Sequence, residues 1–194
     1  MKIFDIVHLN KALLLLNEQL VLKQSPPTEL VVCGGSALIA SHLVQRTTQD
    51  VDVVAMMRAG VLITAEPLPA YLVEAVVRVS EILNLPNDWL NNGPAAQFDM
   101  GLPEGFSERL TKATIGEKLT IYYISRIDQI YFKTFAAADR GGYHITDLQT
   151  LMPSHEEISN AAAWCTEQDV SEGFRMLLKE MLTQNGWKDA GRQL

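Results

Sequence analysis

Cysteine is nearly missing from this chain. Cys33 and Cys165 are its only two in 194 residues, and they lie far apart with no metal-ligand spacing around them. A disulfide framework and a cysteine-built zinc site are thereby excluded, and a reducing compartment is expected. No uncharged apolar run reaches the roughly 18 residues that a membrane-crossing helix needs, so no membrane partner is expected. The first ten residues include Asp5 and lack a signal-peptide pattern, which makes a cytoplasmic location the expectation. Bases are in short supply. Against 23 Asp and Glu stand 16 Lys and Arg, a net charge of −7, which argues against a general nucleic-acid coat protein. Internal repeats, low-complexity tracts and an obvious domain linker are missing as well.

What is present is a chain that is 47% hydrophobic, enough for one domain, or for one domain with a helical appendage. Its charge is unevenly spread. Residues 61–108 hold seven acids and a single base, Arg78. Residues 109–140 hold six bases, Arg109, Lys112, Lys118, Arg126, Lys133 and Arg140, against three acids. Such a segment reads either as a solvated surface or as a grip for a triphosphate or an RNA strand.

Hydrophobic periodicity predicts a helix over 10–23, ended by Pro26-Pro27, and a strong helix over 69–83. Short apolar runs predict strands over 29–33, 51–55 and 119–124, with a helix over 36–45 between the first two. Residues 58–69 read as a linker, and 84–118 are poorly patterned. Ser125-Arg126-Ile127-Asp128 reads as a capping box opening a helix that Arg140-Gly141-Gly142 stops. Further helices are expected over 146–151, 156–164 and 170–184. The expected fold class is α+β, a small mixed sheet flanked by helices, with residues 1–124 as the α/β core. Residues 125–194 form a helical C-terminal part packed on it, in one continuous domain or two.

The most informative stretch is Val31-Val32-Cys33-Gly34-Gly35-Ser36, followed by a helix-length segment and then Asp50-Val51-Asp52-Val53-Val54. Residues i and i+2 of a strand project from one face, so Asp50 and Asp52 point together while Val51 and Val53 point into a core. Two carboxylates held that close need a cation between them, or one of them must keep a proton. Magnesium takes one or two carboxylates and completes its shell with water and phosphate oxygens. Gly34, Gly35 and Ser36 let backbone approach a ligand, and unpaired N–H groups at a helix start attract phosphate. Each half has an ordinary alternative: glycines after a strand make turns, and acids at a strand end face water.

Taken together, and in this order, the two halves resemble the signature of the polymerase-β-like nucleotidyltransferase superfamily. Arg46-Thr47-Thr48-Gln49-Asp50-Val51-Asp52 is similar to the Arg-x-Thr-x-Asp-x-Asp form of its minimal members. The later run from Ile124 through Lys133 and Arg140 to Asp147-Leu148 resembles the second half of the abortive-infection and toxin-type bacterial families. That resemblance implies an enzyme that transfers a nucleoside monophosphate from a nucleoside triphosphate to a hydroxyl on tRNA or protein. It implies one or two Mg²⁺ ions held by Asp50 and Asp52, and a phosphate cradle of Gly34, Gly35 and Ser36. Arg46, Lys133 and Arg140 would neutralise phosphate charge, with Lys133 acting in catalysis. Asp147 would orient Lys133 or touch the substrate, or else it is a helix-start acid favoured by the dipole. A role in toxin–antitoxin systems or phage defence, with an antitoxin partner, is implied too.

His144, three residues before Asp147, reads as a cap or surface residue sooner than a ligand. Many catalytic members carry a third carboxylate on a later strand, whereas Leu119 to Ile124 has none and Asp99 and Glu117 are the nearest acids. The alternative reading is therefore a weak or inactive nucleotide-binding or protein-interaction module of the same fold. An aminoglycoside-modifying enzyme is a third reading.

Overall fold

A computed structural model describes residues 4–44 and 47–194, which divide into two compact units. One comprises Met1–Leu102 with Ser107–Ile124, the other Pro103–Phe106 with Ser125–Leu194.

The first unit is built on a mixed six-stranded sheet: β1 (Thr28–Cys33), β2 (Val51–Arg58), β3 (Val61–Thr64), β4 (Leu90–Asn91), β5 (Thr111–Thr114) and β6 (Leu119–Tyr123). The order is β3-β2-β1-β6-β5, with β4 pairing β2 as well. β1 runs antiparallel to β2 and parallel to β6. Helices α1 (Ile6–Leu22) and α3 (Ala70–Leu83) supply Leu9, Leu13, Leu16, Leu20, Leu72 and Val76 to a core with Leu30, Val32, Val53 and Ile121. Each such leucine, fully buried, contributes about 2 kcal/mol. The short α2 (Gly34–Ala40) leads out of β1, and α4 (Ala95–Met100) packs on β2 and β3.

Helix α1 starts at Ile6, four residues before the sequence pattern suggests, because the Asp5 carboxylate accepts from the His8 N–H at 2.8 Å and caps the helix. Helix α2 begins at Gly34 itself and ends at Ala40, shorter than the expected 36–45. Residues 58–69 are more than a linker. Ala59 and Gly60 both take positive φ (50° and 79°), as a tight hairpin turn requires, and return the chain as β3. β5 is a polar four-residue edge strand inside the unreadable middle. Its turn to β6 is fastened to α1, where Asn17 Oδ1 accepts from the Lys118 N–H at 2.9 Å.

The second unit is helical. α5 (Arg126–Arg140) packs against α6 (Tyr143–Thr150), α7 (His155–Gln168) and α8 (Glu172–Gln184), and α9 (Lys188–Arg192) lies on α7 and α8. Its interior is aromatic: Phe132 stacks on Trp164 at 5.8 Å and on Phe106 at 6.1 Å, and Phe135 meets Phe174 at 4.8 Å.

Candidate active site

The site begins where β1 stops. Cys33 is still extended, and Gly34 then turns to φ +69°, where an L side chain is strained. In the sheet register Cys33 faces Asp52 of β2, and Asn91 of β4 faces Asp52 from the other side. Directly paired residues project to the same side of a sheet. Asp52 thus stands in a row between Cys33 and Asn91, on the face opposite the valines of the core.

The acid and the bend are in contact. A Cβ placed on Gly34 would overlap Asp52 Oδ2 and would lie 3.3 Å from Asp52 Cγ. Only a bare backbone lets the carboxylate sit there. Burial alternates through the strand entrance: Val51 and Val53 are buried, and Asp50 and Asp52 are half-exposed. Asp50 comes just before β2. The buried Thr48 steadies it, donating from Oγ1 to Asp50 Oδ1 at 3.4 Å. Thr48 is itself fixed by two backbone hydrogen bonds with Phe4, at 2.7 and 2.9 Å.

Ser36 is placed differently from its neighbours. Its side chain is fully buried, and Oγ donates back to the Cys33 carbonyl at 3.4 Å. The Ser36 hydroxyl holds the bend in shape, and the whole residue is buried. Arg46 lies outside the described residues. Asn91 escaped the sequence reading, in which it falls within the poorly patterned stretch 84–118. Its Oδ1 accepts from the Gly93 N–H at 2.8 Å. The missed signal is the apolar–polar pair Leu90-Asn91, which runs parallel beside Val51-Asp52.

The donor set suits a hard divalent cation. Two carboxylates, one of them bonded to the Thr48 hydroxyl, are donors of the kind magnesium accepts beside water and phosphate oxygens.

In the second unit Lys133 and Asp147 form a buried ion pair, Nζ to Oδ2 at 2.8 Å, with both side chains 5% exposed or less. The Lys133 ammonium also lies 5.6 Å from the centre of the Tyr143 ring. Asp147 is therefore a partner of Lys133. Arg140, the last residue of α5, is exposed and bonds the adjacent Asp139 at 3.1 Å. Arg126, one of the bases of the positive segment, is committed to structure. Its guanidinium donates to the carbonyls of Leu151 and Met152 and to both Glu157 oxygens at 2.6 and 3.1 Å. The Arg126 guanidinium holds the Glu157 carboxyl below its usual range.

A family described as nucleotidyltransferase of unknown function (DUF6036) matches residues 11–150. The chain belongs to this family. The matched stretch of the nucleotidyltransferase contains the Gly34 bend, Asp50, Asp52, Lys133, Arg140 and Asp147, and it stops at the end of α6, before α7 to α9. No curated protein and no solved structure matches the chain significantly.

Proposed function

We propose that this nucleotidyltransferase moves a nucleoside monophosphate from a nucleoside triphosphate to a hydroxyl acceptor, with Asp50 and Asp52 as its metal-holding carboxylates. The observation that carries this reading is the seating of the Asp52 carboxylate against the side-chain-free bend at Gly34. Such a seat brings backbone N–H groups and an acid to one place, as a metal–phosphate substrate demands. In the reaction the acceptor oxygen bonds to the α-phosphorus while the bond from that phosphorus to the bridging oxygen breaks. Pyrophosphate leaves, and the hydroxyl proton passes to solvent or a carboxylate.

Magnesium, when bound, supplies charge neutralisation at the attacking and leaving oxygens. The chain's own share is positional. Thr48 orients Asp50, the sheet register orients Asp52, and Gly34 and Gly35 cradle the β- and γ-phosphates, with Ser36 bracing the bend from within. The resemblance assigns phosphate charge to Arg46, Lys133 and Arg140, and of these Lys133 is committed within the second unit to its buried pair with Asp147. The acceptor class is tRNA or protein, and an antitoxin-linked growth-arrest role is the biological setting this chemistry suits.

The test uses a nucleoside triphosphate labelled at the α-phosphate, Mg²⁺, and bulk RNA or cell lysate as acceptor. Label transfer by the native chain is expected, falling by about a hundredfold or more in Asp50→Asn/Asp52→Asn. Transfer that survives the double substitution contradicts the site. One observation favours a second reading, a binding module without turnover: β6, Leu-Thr-Ile-Tyr-Tyr, contains no carboxylate. Nucleotide binding with no transfer to any acceptor is the result that supports it.

A further inference from the structure

The outer face of α1 carries a pattern that neither the core nor the active site uses. Leu9, Ala12, Leu13, Leu16 and Leu20 point inward, as an amphipathic helix requires. Opposite them runs a second stripe at positions 7, 11, 14, 18 and 22, also at helical spacing. Three of its members are large and apolar yet exposed: Val7 at 69%, Leu14 at 50% and Leu22 at 76%. The other two, Lys11 and Glu18, are exposed and of opposite charge, and among the described residues neither forms an ion pair. An open groove of about 650 Å³ is lined by four residues of this stripe, Val7, Lys11, Leu14 and Glu18, and by Ile82 and Leu83 of α3.

The stripe is complementary to itself reversed. Positions 7 and 22, 11 and 18, and 14 and 15 are each equidistant from the midpoint between Leu14 and Leu15. An antiparallel second α1 therefore meets the first with unlike charges opposed at both ends of a leucine centre, and with Val7 against Leu22 beyond them. That is the symmetry of an isologous two-fold interface. A helix from an unrelated protein would give no reason for this palindrome of charge and apolarity.

We propose that the chain forms a homodimer through antiparallel α1 helices, Lys11 of each copy pairing with Glu18 of the partner subunit. The contact is small, since α1 is about 25 Å long, so the dimer is reversible and concentration-dependent.

Sedimentation equilibrium of the full chain tests this. The native protein is expected to show a monomer–dimer equilibrium. Leu14→Asp, at an exposed position, is expected to yield monomer with its thermal melt unchanged. Lys11→Glu sets like charges together twice over by symmetry and is expected to weaken association about tenfold. Lys11→Glu/Glu18→Lys restores opposite charges and is expected to recover the native equilibrium, which fixes the antiparallel register. A native chain that stays monomeric at its highest soluble concentration overturns the proposal. So does a dimer that Leu14→Asp leaves intact, or a double swap that recovers nothing.

Discussion

Gly34 is the residue on which the site's geometry turns, for two separable reasons. Its φ of +69° strains any L side chain, and the Asp52 carboxylate fills the space that a Cβ would take. Gly60 separates the two effects, because its φ is +79° and nothing lies within 4 Å of a Cβ placed there. Gly60→Ala is expected to cost about 1 kcal/mol by strain alone. Gly34→Ala is expected to cost more in a denaturant melt and also to displace Asp52, lowering transfer activity where Gly60→Ala leaves it unchanged. Equal effects of the two substitutions on stability and activity would mean that the contact with Asp52 carries no weight. At this scale one contact was legible: Gly34 and Asp52, both singled out in the sequence, touch in the fold. The sequence named Ser36 as part of the phosphate cradle but not the inward turn of its hydroxyl, because a hydroxyl that bonds the Cys33 carbonyl has the same letter as one that turns outward. It was silent on Asn91 because sheet neighbours are long-range, and only the register sets that residue beside Asp52.

Among the elements, α5 shows how two polar groups can be buried without apolar partners replacing them. Removing one member of the Lys133–Asp147 pair leaves the other charge desolvated. Lys133→Met or Asp147→Leu alone is expected to lose about 3 to 5 kcal/mol of stability, and the two together far less. A double mutant as unstable as the sum of the singles would show that the pair is not coupled. The junction of α5, α6 and α7 offers a pH test. Ser154 and Glu157 form a reciprocal capping box, and Arg126 holds the same Glu157. The Glu157 carboxyl is lowered in the folded chain, so its contribution is complete above the unfolded value and fades as pH falls through the lowered one. Glu157→Gln keeps the box and loses the charge. The native chain should therefore be the more stable one near neutrality, and the gap should close as pH falls from the ordinary glutamate range through the lowered value. A gap independent of pH would place the effect in packing. The longer helices were legible from period and caps, whereas the short α4 and α9 were not. The hairpin to β3 was not, since Ala59-Gly60 lacks the asparagine or aspartate that usually marks such a turn. Nor was β5, whose Thr-Lys-Ala-Thr is an exposed edge with no apolar alternation to betray it.

For the whole molecule, the α+β class was readable because strands and helices alternate early and helices alone remain late. The charge pattern was less so. Of the six bases in residues 109–140, Arg126 is spent on carbonyls and a capping acid, and Lys133 on a buried acid. The positive segment is thus no uniform surface, and recognition of an anionic substrate has to rest on specific groups. On the proposed function, Asp50 and Asp52 jointly hold a divalent cation beside the Gly34 bend when a nucleotide is bound. The most direct test is a crystal structure with Mn²⁺ and a non-hydrolysable nucleoside triphosphate, using the anomalous signal of manganese. The expected result is a peak within about 2.2 Å of oxygens from both carboxylates, with the triphosphate lying along Gly34 and Gly35. A nucleotide bound elsewhere, or a cation that touches neither aspartate, would contradict it.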